Sequence, residues 1–192
     1  MNHRTTPTTP KVTGEDRLPG DPEPETLLAR MIRVDHAGEF GAMRIYDGQL
    51  AVLRHGPAAE AIRKMAEKEQ SHLKAFEELL FERRVRPTLL SPLWHLTGFA
   101  LGAGTALLGE RAAMACTVAV EEVIGEHYAR QAAKLGEDEV ELRDVIEEFR
   151  EDERAHHDTA LEMGAEQAPG YGVLSAAIKG GTRLAIWLST RL

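Results

Sequence analysis

The sequence predicts an all-α protein built around a four-helix bundle, and three observations support this fold class. Apolar residues recur at the helical period from about residue 25 almost to the C-terminus. Good helix formers such as Ala, Leu, Glu and Arg are plentiful, whereas aromatic residues make up only 5% of the chain. No segment shows the alternating, β-branched pattern of a strand. With 192 residues, the chain is long enough for one domain with a substantial core.

Glycine and proline divide the helical region, because both residues interrupt or end helices. Gly56-Pro57 and Pro87 separate the first segments, and Gly136 and Gly164 separate the later ones. The expected elements are helices near 25–54, 58–83, 138–163 and 171–191, together with an apolar segment near 91–109 that leads into a helix running to Leu135.

The first 24 residues differ from the rest, since they contain five prolines and no apolar period. This composition predicts a disordered leader before a single domain over 25–192. The leader lacks the charged-then-apolar pattern of a secretion signal. Cys116 is the only cysteine and has apolar neighbours, which predicts a buried thiol and excludes a disulfide within the chain. We therefore expect a reducing, cytosol-facing compartment.

The formal net charge of −8 argues against nucleic acid as a partner, because phosphate binding needs a concentrated basic face. No G-x-G-x-x-G segment is present, so the chain encodes no dinucleotide domain of that kind. Electrons for any redox reaction would then come from a partner or from a small reductant.

Two E-x-x-H sequences carry the candidate chemistry. Glu69 and His72 lie on the second predicted helix, and Glu153 and His156 lie on the helix near 138–163. Residues three apart share a helix face, so both side chains of each pair can reach one metal ion. Each pair also lies in the apolar stripe that should face the core. A carboxylate buried there is costly without a compensating positive charge.

The helix before each E-x-x-H helix supplies one further glutamate on its apolar stripe. These residues are Glu39 and Glu121, and Glu121 is preferred to Glu122 because Glu122 lies on a less apolar face. Glu39 precedes Glu69 by 30 residues and Glu121 precedes Glu153 by 32. The two arms of each hairpin are therefore of similar length, and their carboxylates can meet at one height.

The chain thus contains the same Glu…E-x-x-H hairpin twice. Two such hairpins packed face to face would bring four carboxylates and two imidazoles together, which is the ligand pattern of di-iron and di-manganese bundles. Four negative charges balance two divalent cations, and mixed carboxylate–imidazole ligation suits iron or manganese better than zinc. The prediction is two Fe ions per chain, with the ligands Glu39, Glu69, His72, Glu121, Glu153 and His156.

Other polar residues are candidates for supporting roles, and a surface or ordinary core role stays open for each. Tyr46 and Tyr128, each seven residues after the single glutamate of its hairpin, and His127 are candidates for tuning proton delivery. His157 should point away from the metal, because one residue along a helix turns a side chain by about 100°. Candidates for a hydrogen bond to a ligand are Asp35, His36, His127 and Asp152.

Two apolar segments suggest contact with a membrane. The stretch 87–109 contains no Asp, Glu, Lys or Arg, but its two prolines and four glycines argue against a clean membrane span. The last helix combines Trp187 and Ile186 with Lys179 and Arg183, as helices lying in a membrane interface do. We expect binding to a membrane surface; a role in the bundle core, an oligomer contact and a true span are the alternatives.

Four motifs resemble the demethoxyubiquinone hydroxylase family, whose members are ferritin-like di-iron monooxygenases of ubiquinone biosynthesis. The resemblance covers about 25–192, including the tail around Tyr171 and Trp187. It implies insertion of one oxygen atom from O2 into the ring of a polyprenyl demethoxyquinone (2-polyprenyl-3-methyl-6-methoxy-1,4-benzoquinone), with the six residues above as iron ligands. The motifs are Arg33-Val34-Asp35-His36-Ala37-Gly38-Glu39, Glu69-x-x-His72-Leu73-Lys74-x-Phe76, Ala115-Cys116-Thr117-Val118-Ala119-Val120-Glu121-Glu122 and Glu153-x-x-His156-His157-Asp158.

The resemblance also implies where the protein works and with what. A polyprenyl quinone is insoluble in water, so the enzyme would meet it peripherally at a membrane: the cytoplasmic face of the bacterial cell inner membrane, or the matrix side of the mitochondrial inner membrane in a eukaryote. An electron donor and a lipid-binding protein of the pathway are the further partners expected. The alternatives are a ferritin-like ferroxidase or peroxidase, and a metal-free helical membrane-interaction protein in which the acids pair with arginines.

Overall fold

The fold is entirely helical over the residues that the structure, a computed structural model, describes, which are 22–192. Most of the predicted leader over 1–24 lies outside the described residues. The described part contains six α-helices, two short 3-10 segments and no strand, which confirms the all-α prediction. The helices are α1 (Pro24–Val52), α2 (Pro57–Glu82), α3 (Ser91–Leu107), α4 (Glu110–Ala132), α5 (Val140–Glu162) and α6 (Tyr171–Ser189).

The bundle consists of α1, α2, α4 and α5, arranged as two antiparallel hairpins. α1 packs along α2, and α4 packs along α5. The first hairpin turns at Gly56, whose φ of 98° favours glycine, and Pro57 then starts α2, where its fixed φ fits the first helical turn. The observed bounds of these helices lie close to the predicted ones, except that α4 ends at Ala132, three residues before the predicted Leu135.

The apolar segment near 91–109 forms a separate helix, α3, instead of continuing into α4. The chain breaks at Gly109, which has a φ of 114° that only glycine adopts readily. α3 packs along the outside of α1, and α6 packs along α4. These two helices therefore form an additional layer beside the bundle.

α3 approaches α1 closely at two glycines. A Cβ atom on Gly102 would lie 1.9 Å from the carbonyl oxygen of Ile45, and one on Gly48 would lie 2.2 Å from the carbonyl oxygen of Phe99. Both distances are far shorter than any real contact. The pair α1–α3 therefore depends on the absence of a side chain at these two positions.

Two apolar clusters lie at either end of the bundle, with the six predicted ligands at the height between them. Cys116 is fully buried, as predicted, and burial raises the pKa of its thiol to about 12. One cluster includes Ile32, Phe76, Leu80, Tyr128, Ala132, Leu142, Ile146 and Phe149. The other includes Tyr46, Ile62, Met65, Met114, Val118 and Ala160. A polar layer is thus enclosed between two apolar ones.

The outer layer exposes large apolar side chains to solvent. On α3 the side chain of Leu96 is 66% exposed, and on α6 that of Trp187 is 51% exposed. The two helices are linked by a hydrogen bond that the Trp94 indole N–H donates to Ser189 Oγ over 2.9 Å. Other exposed apolar residues on or beside these helices are Leu89, Leu93, Leu107, Leu108, Val173, Leu184 and Leu192. Among the described residues, no helix has the length and apolarity required to cross a membrane.

Candidate metal centre

The structure brings the six predicted ligands together from four different helices. Their potential ligand atoms form two groups of four, and within each group the atoms lie within 4.8 Å of one another. Glu69 and Glu153 belong to both groups, whereas each histidine and each of the other glutamates belongs to one. The groups are Glu39, Glu69, His72 and Glu153, and Glu69, Glu121, Glu153 and His156. This arrangement suits two adjacent cations that share two carboxylates.

The atoms that face the centre of this cluster lack hydrogen-bond partners. His72 Nδ1 lies 3.4 Å from Glu153 Oε1, and His156 Nδ1 lies 3.0 Å from Glu69 Oε1, but neither contact has hydrogen-bond geometry. Buried polar atoms are nearly always satisfied in folded proteins. The atoms without a partner are Glu39 Oε2, both oxygens of Glu69 and of Glu153, Glu121 Oε2, and the Nδ1 atoms of His72 and His156. A metal pair would satisfy all of them, so the residues fit such a group.

Without a cation, the cluster is electrostatically unfavourable. Burial, together with repulsion from Glu69, holds the pKa of Glu39 well above its usual range, and burial with repulsion from Glu153 does the same for Glu121. Burial opposes the charged form of His156, but the neighbouring carboxylates of Glu153 and Glu69 outweigh it and raise the pKa of His156 to about 9. In the metal-free protein, protons therefore take the place that two divalent cations would occupy.

The two buried tyrosines connect the hairpins. Tyr46, on α1, donates a hydrogen bond of 2.6 Å to Glu121 Oε1 on α4, and Tyr128, on α4, donates one to Glu39 Oε1 on α1. Each hairpin therefore holds the single glutamate of the other. The sequence symmetry indicated that the tyrosines are equivalent, but it did not indicate this exchange of partners.

The imidazole of His72 has the Asp152 carboxylate on the side that faces away from the cluster. His72 Nε2 lies 3.0 Å from Asp152 Oδ2, and the same oxygen lies 3.0 Å from Lys68 Nζ. The His72 ring also stacks on Phe149, with ring centroids 4.0 Å apart. Of the four candidates for a hydrogen bond to a ligand, Asp35, His36, His127 and Asp152, Asp152 is the one that the structure places against a predicted ligand. Lys68 and Phe149 were missed as supporting residues, although their positions one before Glu69 and four before Glu153 could have indicated them.

Asp35 and His127 contact each other instead of any of the six residues. His127 Nε2 lies 3.4 Å from Asp35 Oδ1, and Gln131 donates a hydrogen bond of 2.8 Å to the same oxygen. The expectation that either residue hydrogen-bonds a ligand is therefore wrong. His36 Nδ1 is buried without a partner. Gln131 was not predicted, although its place one turn after His127 on α4 could have suggested a shared role.

Two further residues lie outside the cluster. Glu122 forms an ion pair of 2.6 Å with Lys179 of α6, in line with the preference for Glu121. His157 turns away and lies 3.0 Å from Asp158. The 100° step between successive helical residues accounts for both positions.

An apolar cavity adjoins the cluster on the side of the outer layer. It has a volume of about 330 Å³ and no charged residue in its lining. Gly38 and Val120, the chain neighbours of Glu39 and Glu121, form its inner wall. Its outer wall includes Trp94, Gly98 and Leu101 of α3 and Gly181, Ala185 and Ile186 of α6. The cavity therefore lies between the carboxylate cluster and the exposed apolar surface.

Comparison with known proteins is consistent with this architecture. The chain is 57% identical to the 3-demethoxyubiquinol 3-hydroxylase of Rhodospirillum rubrum over 181 residues, which cover 94% of this chain and 85% of the relative. It is 55% identical to the human NADPH-dependent 3-demethoxyubiquinone 3-hydroxylase, mitochondrial, over 167 residues, which cover 85% and 77%. It is 43% identical to the 5-demethoxyubiquinone hydroxylase, mitochondrial, of Saccharomyces cerevisiae over 183 residues, which cover 86% and 78%.

The family match has the same extent as the helical domain. The family model described as ubiquinone biosynthesis protein COQ7 matches residues 26–189, which run from the first turns of α1 to the end of α6. All six clustered residues and both helices of the outer layer fall inside this match. The chain therefore belongs to the ubiquinone biosynthesis protein COQ7 family.

Proposed function

We propose that this protein is a di-iron monooxygenase that hydroxylates the ring of a polyprenyl demethoxyquinone with O2 in ubiquinone biosynthesis. The observation that carries the proposal is the proximity of two unlike sites: a cluster of buried carboxylates and imidazoles, and a charge-free cavity lined by Gly38 and Val120, the chain neighbours of Glu39 and Glu121. The names of the relatives, all of them hydroxylases of a demethoxyubiquinone or demethoxyubiquinol, supply the substrate class.

The six clustered residues would hold two iron ions. Glu69 and Glu153 belong to both groups of potential ligand atoms, whereas each histidine and each of the other two glutamates belongs to one group. When bound, reduced iron supplies the electrons that activate O2. The net reaction replaces a ring C–H by C–OH and releases the second oxygen atom as water, so two electrons and two protons must come from outside.

The chain's own residues contribute position and insulation. Tyr46 and Tyr128 keep their protons, because burial and the adjacent carboxylates raise the pKa of both phenols well above the usual range. They can therefore hold Glu121 and Glu39 by donating hydrogen bonds throughout the reaction. The apolar clusters at both ends of the bundle exclude water from the reacting atoms.

The cavity fits a quinone ring and the first part of its tail. Its volume of about 330 Å³ lies at the lower end of the range for small-molecule sites, and its lining is apolar. Gly38 and Gly41 on α1 leave room for a flat ring beside the backbone that carries Glu39. Since α3 and α6 form both the cavity's outer wall and the exposed apolar surface, we propose that the protein rests peripherally on a membrane by this surface and takes its substrate from there.

The names of the relatives support a compartment and a class of electron donor. The human and yeast relatives are named as mitochondrial, and the human one is named as NADPH-dependent. We propose that this chain works at the inner membrane, on the cytoplasmic side in a bacterium or on the matrix side in a mitochondrion. It would receive two electrons from a reduced nicotinamide or another external donor.

Complementation tests the function directly. The full chain is expressed in cells that lack their own hydroxylase, and the extracted quinones are identified by mass. We expect the demethoxyquinone to disappear and ubiquinone to return. Glu69→Ala should abolish the effect, whereas Glu78→Ala, at an exposed position on the same helix, should keep it.

Three results would contradict the proposal. Unchanged demethoxyquinone in cells that contain the soluble or membrane-bound folded protein would exclude the hydroxylase. Purified protein that oxidises iron with O2 but converts no quinone would identify the ferroxidase alternative. Fewer than one metal ion per chain after anaerobic iron loading would instead favour the metal-free protein.

A further inference from the structure

The two halves of the cluster support their histidines differently. Asp152 directly precedes Glu153 on α5, and the equivalent residue on α2, directly before Glu69, is Lys68. Asp152 Oδ2 lies 3.0 Å from His72 Nε2, within hydrogen-bond distance. Lys68 has no acceptor atom for a histidine and instead pairs with Asp152. The pseudo-symmetry of the hairpins is therefore broken at one position.

The surroundings of the two rings show the same inequality. The side chain of His72 is fully buried and stacks on Phe149, with centroids 4.0 Å apart. The His156 side chain is 9% exposed, and among the described residues no hydrogen bond holds its Nε2 atom. His156 also lines a surface groove of about 700 Å³ between α2 and α5, together with His55, Lys64 and Thr159.

A carboxylate behind a ligating imidazole strengthens its hold on a metal. It accepts the other ring N–H, fixes the tautomer and the ring orientation, and makes the ligating nitrogen more basic. Asp152 performs this role for His72, whose Nδ1 faces the cluster. Among residues 22–192, His156 has no such carboxylate, and solvent can reach its outer edge through the groove.

We propose that the two metal positions are unequal: the ion beside Glu39 and His72 is held firmly, whereas the ion beside Glu121 and His156 exchanges with solution through the groove. Asp152 is the positioning residue that sets this difference. This inference rests on the proposed metal centre, and it predicts that the protein passes through a state with one ion when it loads or loses metal.

Release of metal to a chelator tests the inequality. The full chain is loaded anaerobically with two equivalents of Co²⁺, chelator is added in excess, and the visible bands of bound Co²⁺ are followed. We expect two phases of equal amplitude whose rates differ about tenfold or more. His156→Ala protein should lack the fast phase and keep the slow one.

Substitution of Asp152 tests its role. Asp152→Asn should accelerate the slow phase about 10–100-fold and leave the fast phase unchanged. Asp144→Asn, the same change at an exposed position of α5, should alter neither. Lys68→Met keeps the carboxylate and removes only a solvent-exposed ion pair, so the slow phase should change less than about fivefold.

A second readout reports on the hydrogen bond itself. In the proton NMR spectrum of the Co²⁺ protein, the ring N–H signals of both ligating histidines are shifted by the metal. We expect the His72 signal to exchange with D2O much more slowly than the His156 signal, and Asp152→Asn to remove most of this difference. A change in global stability would not affect one signal alone.

The failures of the two proposals are distinguishable. A protein that binds no metal overturns both this inference and the proposed metal centre. A protein that binds two ions and releases them in one phase overturns the inference alone. So does equal acceleration of both phases by Asp152→Asn, or a fast phase that survives in His156→Ala.

Discussion

The bundle core and the outer layer both depart from the usual pattern of apolar side chains inside and charged side chains outside, but in opposite ways. In the core, four glutamates and two histidines are buried, and most of their inward-facing atoms lack partners. On α3 and α6, leucines and a tryptophan are exposed. Buried unpaired charge and a large exposed apolar surface are both costly in an isolated protein. Each departure supports one of the proposals above: cations in the core, and an apolar phase at the surface.

The two regions meet at the cavity between α1, α3, α4 and α6. Its inner wall belongs to the helices that carry Glu39 and Glu121, and its outer wall belongs to the exposed layer. In the proposed function, the core would supply the reactive site, and the outer layer would supply the route by which an apolar substrate reaches it.

Removal of a shared carboxylate should have the largest effect. Glu153→Gln should lower metal content from two ions to fewer than one per chain and abolish turnover, because Glu153 belongs to both groups of ligand atoms. It should also lower the pKa of His156 in the metal-free protein, because Glu153 is one of the carboxylates that raise it. Metal analysis and an NMR titration of the His156 ring measure the two effects. Unchanged metal content would contradict the shared role of Glu153, and Glu162→Gln, exposed at the end of α5, is the control.

Metal affinity should fall as the pH falls. The pKa of His156 is raised to about 9 in the metal-free protein, so near neutrality the ring carries a proton that must leave before Nδ1 can bind metal. The His156 proton alone should therefore make affinity rise with pH by up to about tenfold per unit until about pH 9, and the protons held by Glu39 and Glu121 add to this rise. Conversely, protonated His156 stabilises the metal-free protein by its attraction to Glu153 and Glu69. This stabilisation is complete below about pH 6.5 and is lost as the pH rises through about 9. Titration calorimetry in two buffers of different protonation enthalpy counts the protons released; none released would be inconsistent with this charge state.

A methyl group between α1 and α3 should disturb the outer layer before the core. In Gly102→Ala, the new Cβ would meet the Ile45 carbonyl oxygen at 1.9 Å unless the helices separate. We expect a loss of about 1–3 kcal/mol in the free energy of unfolding, as for other overpacked sites, and weaker quinone binding. Metal content should stay at two ions. Gly104→Ala, where a Cβ meets nothing within 4 Å, is the matched control on the same helix.

Polar substitutions on the outer layer should reduce membrane binding without affecting metal. Leu96→Ser combined with Trp187→Ser removes two of the exposed apolar side chains, and the lost burial should weaken binding by about 1–3 kcal/mol, or at least roughly fivefold. Co-sedimentation with phosphatidylcholine vesicles measures the change. Val140→Ser, at the start of α5, should bind as the unaltered protein does. Equal binding by all three proteins would remove the surface of α3 and α6 from this role.

Loss of the hydrogen bond between Tyr128 and Glu39 should have the smallest effect on stability and turnover. Tyr128→Phe leaves the buried Glu39 Oε1 without its donor, which should cost about 1–2 kcal/mol of stability and slow turnover less than about tenfold. Unfolding by denaturant and steady-state assays give the two values. Unchanged turnover would show that the Tyr128 proton takes no part in the reaction.

The periodicity of the sequence was sufficient to predict most helices and the six clustered residues. Glu39, Glu69, Glu121 and Glu153 stand out because a charged residue in an apolar stripe is rare, and their spacing along two hairpins indicates one common height. The separation of α3 from α4 was not predicted, since Gly109 can either continue a weak helix or adopt a φ of 114°, and packing against α1 decides between them. Gln131, Lys68 and Phe149 were missed because each acts on a residue of another helix.

The sequence by itself determined the repeated hairpin, the identity of the candidate ligands and the presence of two apolar segments, because these depend on the helical period and on residue type. Only the tertiary structure decided that Tyr46 holds Glu121 and Tyr128 holds Glu39, that Asp152 lies against His72 and not His156, and that a cavity lies between the outer layer and the helices that carry Glu39 and Glu121. These features depend on the angle and register at which four helices pack, and helical periodicity specifies neither.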